Sequence, residues 1–278
     1  MTDTKTMDEI RGTVRETYGK IAREGGSCGC APSGCCGPTS AGLGVGSTSA
    51  GLGYSDAELA AVPQGADMGL GCGNPQAIAA LQEGETVLDL GSGGGFDALL
   101  AARQVGPKGS VIGVDMTPDM ISKARANAAK AGATNVEFRL GEIERMPVSD
   151  ASVDVIISNC VINLSPDKAA VFREAFRVLR PGGRLAIADV VATAVLPDAV
   201  RADVAAYTGC VAGAAHVEEL RAMLTKAGFG EVRVDVKEAS RATIRDWFPE
   251  SGAERYVASA AIEAIKPGKS CCGPECCA

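Results

Sequence analysis

Short apolar runs alternate with amphipathic stretches through most of the chain. Segments at 86–90, 110–115, 136–140, 153–158 and 184–189 read as strands. Between them, 97–104, 118–131 and 166–179 space apolar residues as a helix does, and Val171, Phe172, Ala175, Phe176 and Leu179 form one apolar face that predicts core. Thr117-Pro118 and Ser165-Pro166 each set a hydroxyl N-cap before a proline at the first helical position, and Gly132 closes the first of these helices. Strand and helix in turn predict an α/β fold, a doubly wound, mostly parallel sheet with helices on both faces.

The flanks are less regular. Residues 7–23 carry Ile10, Val14, Tyr18 and Ile21 at helical spacing, which predicts a short amphipathic helix. The stretch 25–53 is rich in Gly, Ser, Pro, Cys and Thr and reads as loop. Tyr54-Ser-Asp-Ala-Glu-Leu reads as a capped helical turn, and Ile78 and Leu81 lead a helix into the turn at Glu83 and Gly84. Beyond the strand at 184–189, which Pro181-Gly-Gly183 turns into, 196–207 predicts a helix, 208–213 a glycine-flanked loop, and 217–227 a helix ending at Gly228. Residues 231–237 alternate like a strand. The segment 256–265 fits helix or strand, and an antiparallel hairpin completing a seven-stranded sheet would make it strand.

The stretch organising the chain is Val87-Leu-Asp-Leu-Gly-Ser-Gly-Gly-Gly-Phe-Asp97, in the order strand, tight turn, helix. Glycines there admit positive φ and let a ligand lie against bare peptide N–H groups at a helix N-terminus. The dinucleotide fingerprint G-x-G-x-x-G fails, because its sixth position from Gly91 is Phe96. What remains, Asp89-x-Gly91-x-Gly93-x-Gly95, resembles the first motif of class I S-adenosylmethionine methyltransferases; a turn that merely packs helix on strand is the plainer alternative. Asp115 ends the next strand, where an acid can accept hydrogen bonds from both ribose hydroxyls, and Met116 follows it as a further candidate contact. Gly141-Glu-Ile-Glu-Arg-Met-Pro147 looks like the second methyltransferase motif, which implies Glu142 and the backbone at Ile143 as adenine contacts. Asn159 and Cys160 follow the fourth strand, at the sheet edge where open α/β folds bind ligands.

With 278 residues, 46% of them hydrophobic, the chain can bury a full core without disulfides, as one large domain or two small ones. Net charge is −7 with no basic cluster, which argues against a nucleic-acid partner. The N-terminus lacks the features of a signal peptide and no 18-residue apolar run occurs, so a cytoplasmic protein with no membrane partner is expected. Eleven cysteines against one histidine, His216, then point to free thiols, metal or metalloid ligands, or redox chemistry.

The cysteines outside the terminal segments lie beside glycines or at strand ends. Singly, each could be a small core residue. Together, Gly69-Leu-Gly-Cys-Gly-Asn-Pro75, Ser158-Asn-Cys-Val-Ile-Asn-Leu-Ser-Pro166 and Tyr207-Thr-Gly-Cys210, with the nucleotide motifs and Gly113-Val-Asp-Met-Thr-Pro118, resemble the bacterial arsenite S-adenosylmethionine methyltransferases from about Tyr54 to Pro267. The resemblance implies Cys160 and Cys210 as the pair holding trivalent arsenic, Cys72 as a third thiol, and Cys36 or Cys35 as an N-terminal fourth among Cys28, Cys30, Cys35 and Cys36. Leu70 stands where some members carry tyrosine. The implied organisation is an N-terminal helix and Cys/Gly-rich loop (1–62), a cofactor-binding core (63–190), an arsenic-binding region completing the sheet (191–267) and a Cys-rich tail (268–278).

Soft trivalent arsenic favours thiolate over imidazole or carboxylate. Bound through sulfur it keeps a lone pair for the sulfonium methyl, so no general base is needed, in keeping with one histidine. Expected substrates are arsenite and methylarsenite. Electron release on methylation implies thiol oxidation and regeneration by a reductant such as thioredoxin or glutathione. Two alternatives remain at this point: a methyltransferase for an organic acceptor such as a quinone or sterol, and a thiol-rich protein that sequesters metalloid or zinc.

Overall fold

The computed structural model describes residues 6–24, 48–197, 200, 204–247 and 251–268. Among them the strands are β1 (Thr86–Leu90), β2 (Ser110–Asp115), β3 (Val136–Leu140), β4 (Val153–Asn159), β5 (Leu179–Ala192), β6 (Gly230–Lys237) and β7 (Val257–Ile265). They form one seven-stranded sheet in the order β3-β2-β1-β4-β5-β7-β6. The first five strands pair in parallel, and β7 runs antiparallel between β5 and β6. This is the Rossmann-like architecture of class I methyltransferases, and the segment at 256–265 is strand. Strands β1, β4 and β5 are nearly all buried because helices cover both faces, whereas β6, at the edge, alternates exposed and part-buried residues.

Both faces carry an apolar layer. Leu88, Leu90 and Ile156 pack with Val171, Phe172, Ala175 and Val178 on one side, while Val87, Val111, Val155 and Ile157 pack with Ala98, Leu99, Ala102 and Ile121 on the other. The sheet order reverses between β1 and β4, since β1 pairs β2 on one side and β4 on the other. Connections after these strands leave in opposite directions, opening a crevice at their C-terminal ends. The glycine turn follows β1 and Cys160 follows β4, so both lie at that crevice.

Several expected boundaries shift. The helix predicted at 166–179 starts at Lys168, capped by Asp167, whose carboxylate accepts from the Ala170 N–H at 2.9 Å. Ser165 instead closes a 3-10 turn at Ile162–Leu164. Thr117 does precede Pro118 at the helix start, but its hydroxyl makes no capping bond. Pro181-Gly182-Gly183 lies inside β5 as an irregularity, with Gly182 at φ +83°. The helix expected at 196–207 is described only at Val204–Thr208 and Val200, and Leu196 and Pro197 have no regular structure. The helix Ser240–Trp247 was not expected, and Thr48–Gly51 forms a short helix within the expected loop. The N-terminal helix α1 (Met7–Glu24) follows expectation, as does the capped turn at Asp56–Ala60, where Ser55 and Glu58 form a reciprocal capping box.

Candidate active site

The crevice is a cleft of about 1070 Å³, open mouth included. Asp89 and Gly91 to Gly94 form its floor, Asp115, Met116 and Thr117 one side, and Gly141, Ile143 and Glu144 another. Asn159, Cys160 and Val161 line the wall from β4. Arg11, Val14 and Tyr18 close over it from α1, a role that the amphipathic pattern of 7–23 did not disclose. The helix is held there by Arg11 ion-paired to Glu144 at 3.2 Å, by the Tyr18 hydroxyl donating to the Thr208 carbonyl at 3.0 Å, and by an Arg23 to Asp119 ion pair.

The glycines do different jobs. Gly91 has φ +65°, and a Cβ there would meet Val161 Cγ2 at 2.4 Å, so any side chain would strain the backbone and displace the wall. Gly93 lines the cleft and donates its N–H to Asp115 Oδ2 at 3.0 Å. Gly95 is not on the wall: it starts the helix Phe96–Val105, and its missing Cβ makes room for Phe138.

Three buried carboxylates converge here. Burial, with Asp97 and Asp115 adding repulsion, pushes the Asp89 carboxyl well above the usual carboxylate range. Asp89 Oδ2 has no hydrogen-bond partner in the described structure. Burial also raises Asp115, opposed by the N–H groups of Thr117 and Gly93. An orphaned carboxylate oxygen beside a glycine turn and a second acid fits a ligand that carries positive charge, and S-adenosylmethionine, with its sulfonium and ammonium groups, has that character. Glu142 is paired with Arg11 at 3.6 Å and Arg15 at 3.3 Å, and it is its neighbour Ile143 that lines the wall. Asn159 lines the cleft, but its amide is engaged with the Cys72 loop, accepting from Cys72 N–H at 2.9 Å and donating to Gly73 O at 2.9 Å.

Beside the cleft the three core cysteines meet, although they lie 88 and 50 positions apart. The sulfurs of Cys72, Cys160 and Cys210 and a carboxylate oxygen of Asp189 all lie within 4.8 Å of one another, and all four residues are buried. Cys72 and Cys160 are paired as a disulfide with Cα atoms 5.6 Å apart, and Cys210 Sγ donates to the Cys160 carbonyl at 2.8 Å. Cys160 and Cys210 have φ of +56° and +65°, the left-handed region that favours glycine. An L side chain there costs about 1–2 kcal/mol, so local backbone preference does not account for cysteine at either position.

Asn163 staples the Cys210 turn to the sheet, donating from Nδ2 to Asp189 Oδ1 at 2.8 Å, Val190 O at 2.6 Å and Cys210 O at 3.2 Å. Asp189, at the end of the parallel stretch of β5, was expected only as a strand boundary. Burial pushes its carboxyl up to about 7 against the pull of the Val190 N–H and Lys168. The signal was present, because an acid at a strand's C-terminal end is the same feature that singled out Asp115. Burial lowers the Lys168 amine, while Asp189, Cys210 and Glu144 pull it back up. The sole histidine, His216, is exposed and caps the helix Val217–Ala227. Cys28, Cys30, Cys35 and Cys36, and the C-terminal cysteines, lie outside the described residues.

A methyltransferase domain family matches residues 81–228. An arsenite methyltransferase of Halobacterium salinarum is 54% identical over 270 residues, covering 94% of this chain and 68% of that protein. The chain belongs to the arsenite methyltransferase family. An arsenite methyltransferase of Aquipseudomonas alcaligenes is 45% identical over 171 residues, 59% of this chain and 49% of its own length. The chain thus spans about half of that relative. The crystal structure of an arsenic(III) S-adenosylmethionine methyltransferase from Chlamydomonas reinhardtii superposes with a TM-score of 0.57 at 37% identity, covering 80% of this chain and 73% of that one. Among the described residues of this arsenite methyltransferase family member, no helix is long and apolar enough to cross a membrane.

Proposed function

We infer that the chain methylates arsenite, with S-adenosylmethionine as methyl donor and Cys72, Cys160 and Cys210 as the arsenic ligands. The supporting observation is the convergence of three buried sulfurs within 4.8 Å at a cleft whose wall includes Cys160. Each thiol replaces one hydroxide of arsenite, forming an As–S bond and releasing water, so three thiols consume all three hydroxyls. Three sulfurs leave arsenic a lone pair, and sulfur donation keeps that pair nucleophilic.

S-adenosylmethionine supplies, when bound, a methyl group on a positively charged sulfur. The chain's part is placement. Asp89 and Asp115 answer positive charge and ribose hydroxyls, Gly91 and Gly93 allow close backbone approach, Met116, Ile143 and Asn159 line the walls, and α1 shields the cleft from water. Placement of this kind accounts for roughly 7–11 kcal/mol of barrier reduction. Arsenic uses its lone pair for the new carbon bond and becomes pentavalent. Two thiolates return two electrons as they close to a disulfide, restoring trivalent arsenic, and Cys72 and Cys160 are neighbours whose Cα atoms lie 5.6 Å apart. A thiol reductant such as thioredoxin or glutathione then reopens the disulfide, which suits a reducing cytoplasm, and methylarsenite can re-enter as substrate. Cys36 or Cys35 serves as a fourth, N-terminal thiol. The division at 62, 190 and 267 separates the Cys-rich loop, the cofactor core, the arsenic-binding region and the tail. Incubating the purified protein with arsenite, S-adenosylmethionine and a thiol reductant should yield methylated arsenicals, and arsenite recovered unchanged would refute the reading.

A further inference from the structure

Cys72 lies in Gly69-Leu-Gly-Cys-Gly-Asn-Pro75, a stretch with glycine on both sides of the cysteine and no regular structure. Such a segment has high backbone entropy, so something must fix its sulfur beside Cys160. One side chain does so from both sides. Asn159 Oδ1 accepts the Cys72 N–H at 2.9 Å, and Asn159 Nδ2 donates to the Gly73 carbonyl at 2.9 Å. Because Asn159 immediately precedes Cys160, a single amide sets the two cysteines relative to each other.

The amide is itself oriented. Asn159 Nδ2 also donates to the Tyr54 hydroxyl at 3.1 Å and to Asp97 Oδ2 at 3.2 Å, and the Tyr54 hydroxyl donates to Asp97 Oδ1 at 2.6 Å. Flipping the amide would turn its NH₂ toward the Cys72 N–H and its oxygen toward the Gly73 carbonyl, so only one orientation avoids setting donor on donor and acceptor on acceptor. Tyr54 is buried, its ring set edge-on to Phe96 with centroids 4.9 Å apart. Nor is there slack, since a Cβ on Gly71 would meet Asn159 Nδ2 at 2.7 Å.

We propose that Tyr54, Asp97 and Asn159 form a positioning clamp that sets Cys72 for capture of the third arsenic valence, and so distinguishes arsenite from methylarsenite. The proposal rests on the reading of Cys72, Cys160 and Cys210 as arsenic ligands. Arsenite has three exchangeable hydroxyls and methylarsenite only two, because its third valence is already a carbon bond. Placement of a third sulfur therefore matters to the first substrate and not to the second.

The test uses the full chain, reduced with a phosphine, and two variants that disturb the clamp from different segments, Tyr54→Phe and Gly71→Ala. Protection of each cysteine from alkylation is read peptide by peptide against arsenite and methylarsenite concentration. Leaving a buried polar group of the clamp without its partner corresponds to a change of about tenfold. The arsenite concentration that half-protects Cys72 should rise about tenfold in both variants, while methylarsenite half-protects Cys160 and Cys210 within twofold of wild type. Unchanged Cys72 protection in both variants would overturn the clamp, as would an equal shift for both arsenicals, the mark of general structural damage. If arsenite protects none of the three cysteines in the wild type, the ligand assignment has failed instead.

Discussion

Replacing Asp89 with asparagine should strengthen the ligand-free fold and weaken cofactor binding, two effects of opposite sign from one change. Asp89 is 2% exposed, one of its oxygens has no partner, and burial together with Asp97 and Asp115 opposes its ionisation. Asparagine keeps the shape and removes the charge. Relief of an uncompensated buried carboxylate is worth about 1–3 kcal/mol of ligand-free stability near pH 8. A cationic ligand loses a charge-assisted hydrogen bond of about 1.5–3 kcal/mol, or roughly 10- to 150-fold in affinity. Titration calorimetry with S-adenosylmethionine and urea unfolding without it read the two sides separately. Affinity within twofold of wild type, or a less stable ligand-free variant, would refute the assignment of the orphaned oxygen to the cofactor.

Cys210 at φ +65° reverses the usual ranking of alanine over glycine. Cys210→Gly should be at least as stable as Cys210→Ala in urea, both without arsenite methylation, and a glycine variant weaker by the ordinary 0.5–1 kcal/mol or so would contradict the strain. Asp189, raised to about 7, stays protonated in the fold where the unfolded chain has ionised, so its contribution is present below the ordinary carboxylate value and lost as pH rises through about 7. Unfolding free energy should therefore fall between pH 4 and 7, by up to about 1.4 kcal/mol per unit from this group, and Asp189→Asn should flatten that slope. A Cβ at Gly213 would lie 2.1 Å from the Asn163 carbonyl oxygen. Gly213→Ala should cost about 1–3 kcal/mol in thermal or urea unfolding, and a neutral effect would mean that the Cys210 turn is looser than its contacts imply.

Much of the sheet was legible because its signals are local. Thr86–Leu90 and Ser110–Asp115 are short, mostly apolar runs closed by turn residues, Val136–Leu140 alternates apolar and charged residues, and the helices Pro118–Ala131 and Val217–Ala227 carry proline or glycine at their ends. Long-range choices were not legible. Ser165 loses its capping role because its hydroxyl donates to Glu144 at 2.8 Å and accepts from the Asp167 N–H at 3.1 Å. The face of α1 announced a helix, but nothing local says that Val14 packs among Cys72, Cys160 and Cys210. Glu142 was chosen by motif position, whereas Arg11 and Arg15, more than a hundred residues earlier, decide where its carboxylate goes. Ser240–Trp247 escaped notice because Ile244 is its one apolar residue buried among the side chains described, too few to show a period. Asp189 carries the same strand-end signal as Asp115, but its place beside Cys210 depends on topology that no local pattern gives.

The central claim is that arsenic held by Cys160 and Cys210 is what accepts the methyl group. Cys160→Ser and Cys210→Ser, assayed separately with arsenite, S-adenosylmethionine and reductant, should each give no methylated arsenic while binding S-adenosylmethionine within about threefold of wild type, less than one charged hydrogen bond. Methylated arsenic formed at near wild-type rate by either variant would contradict the account.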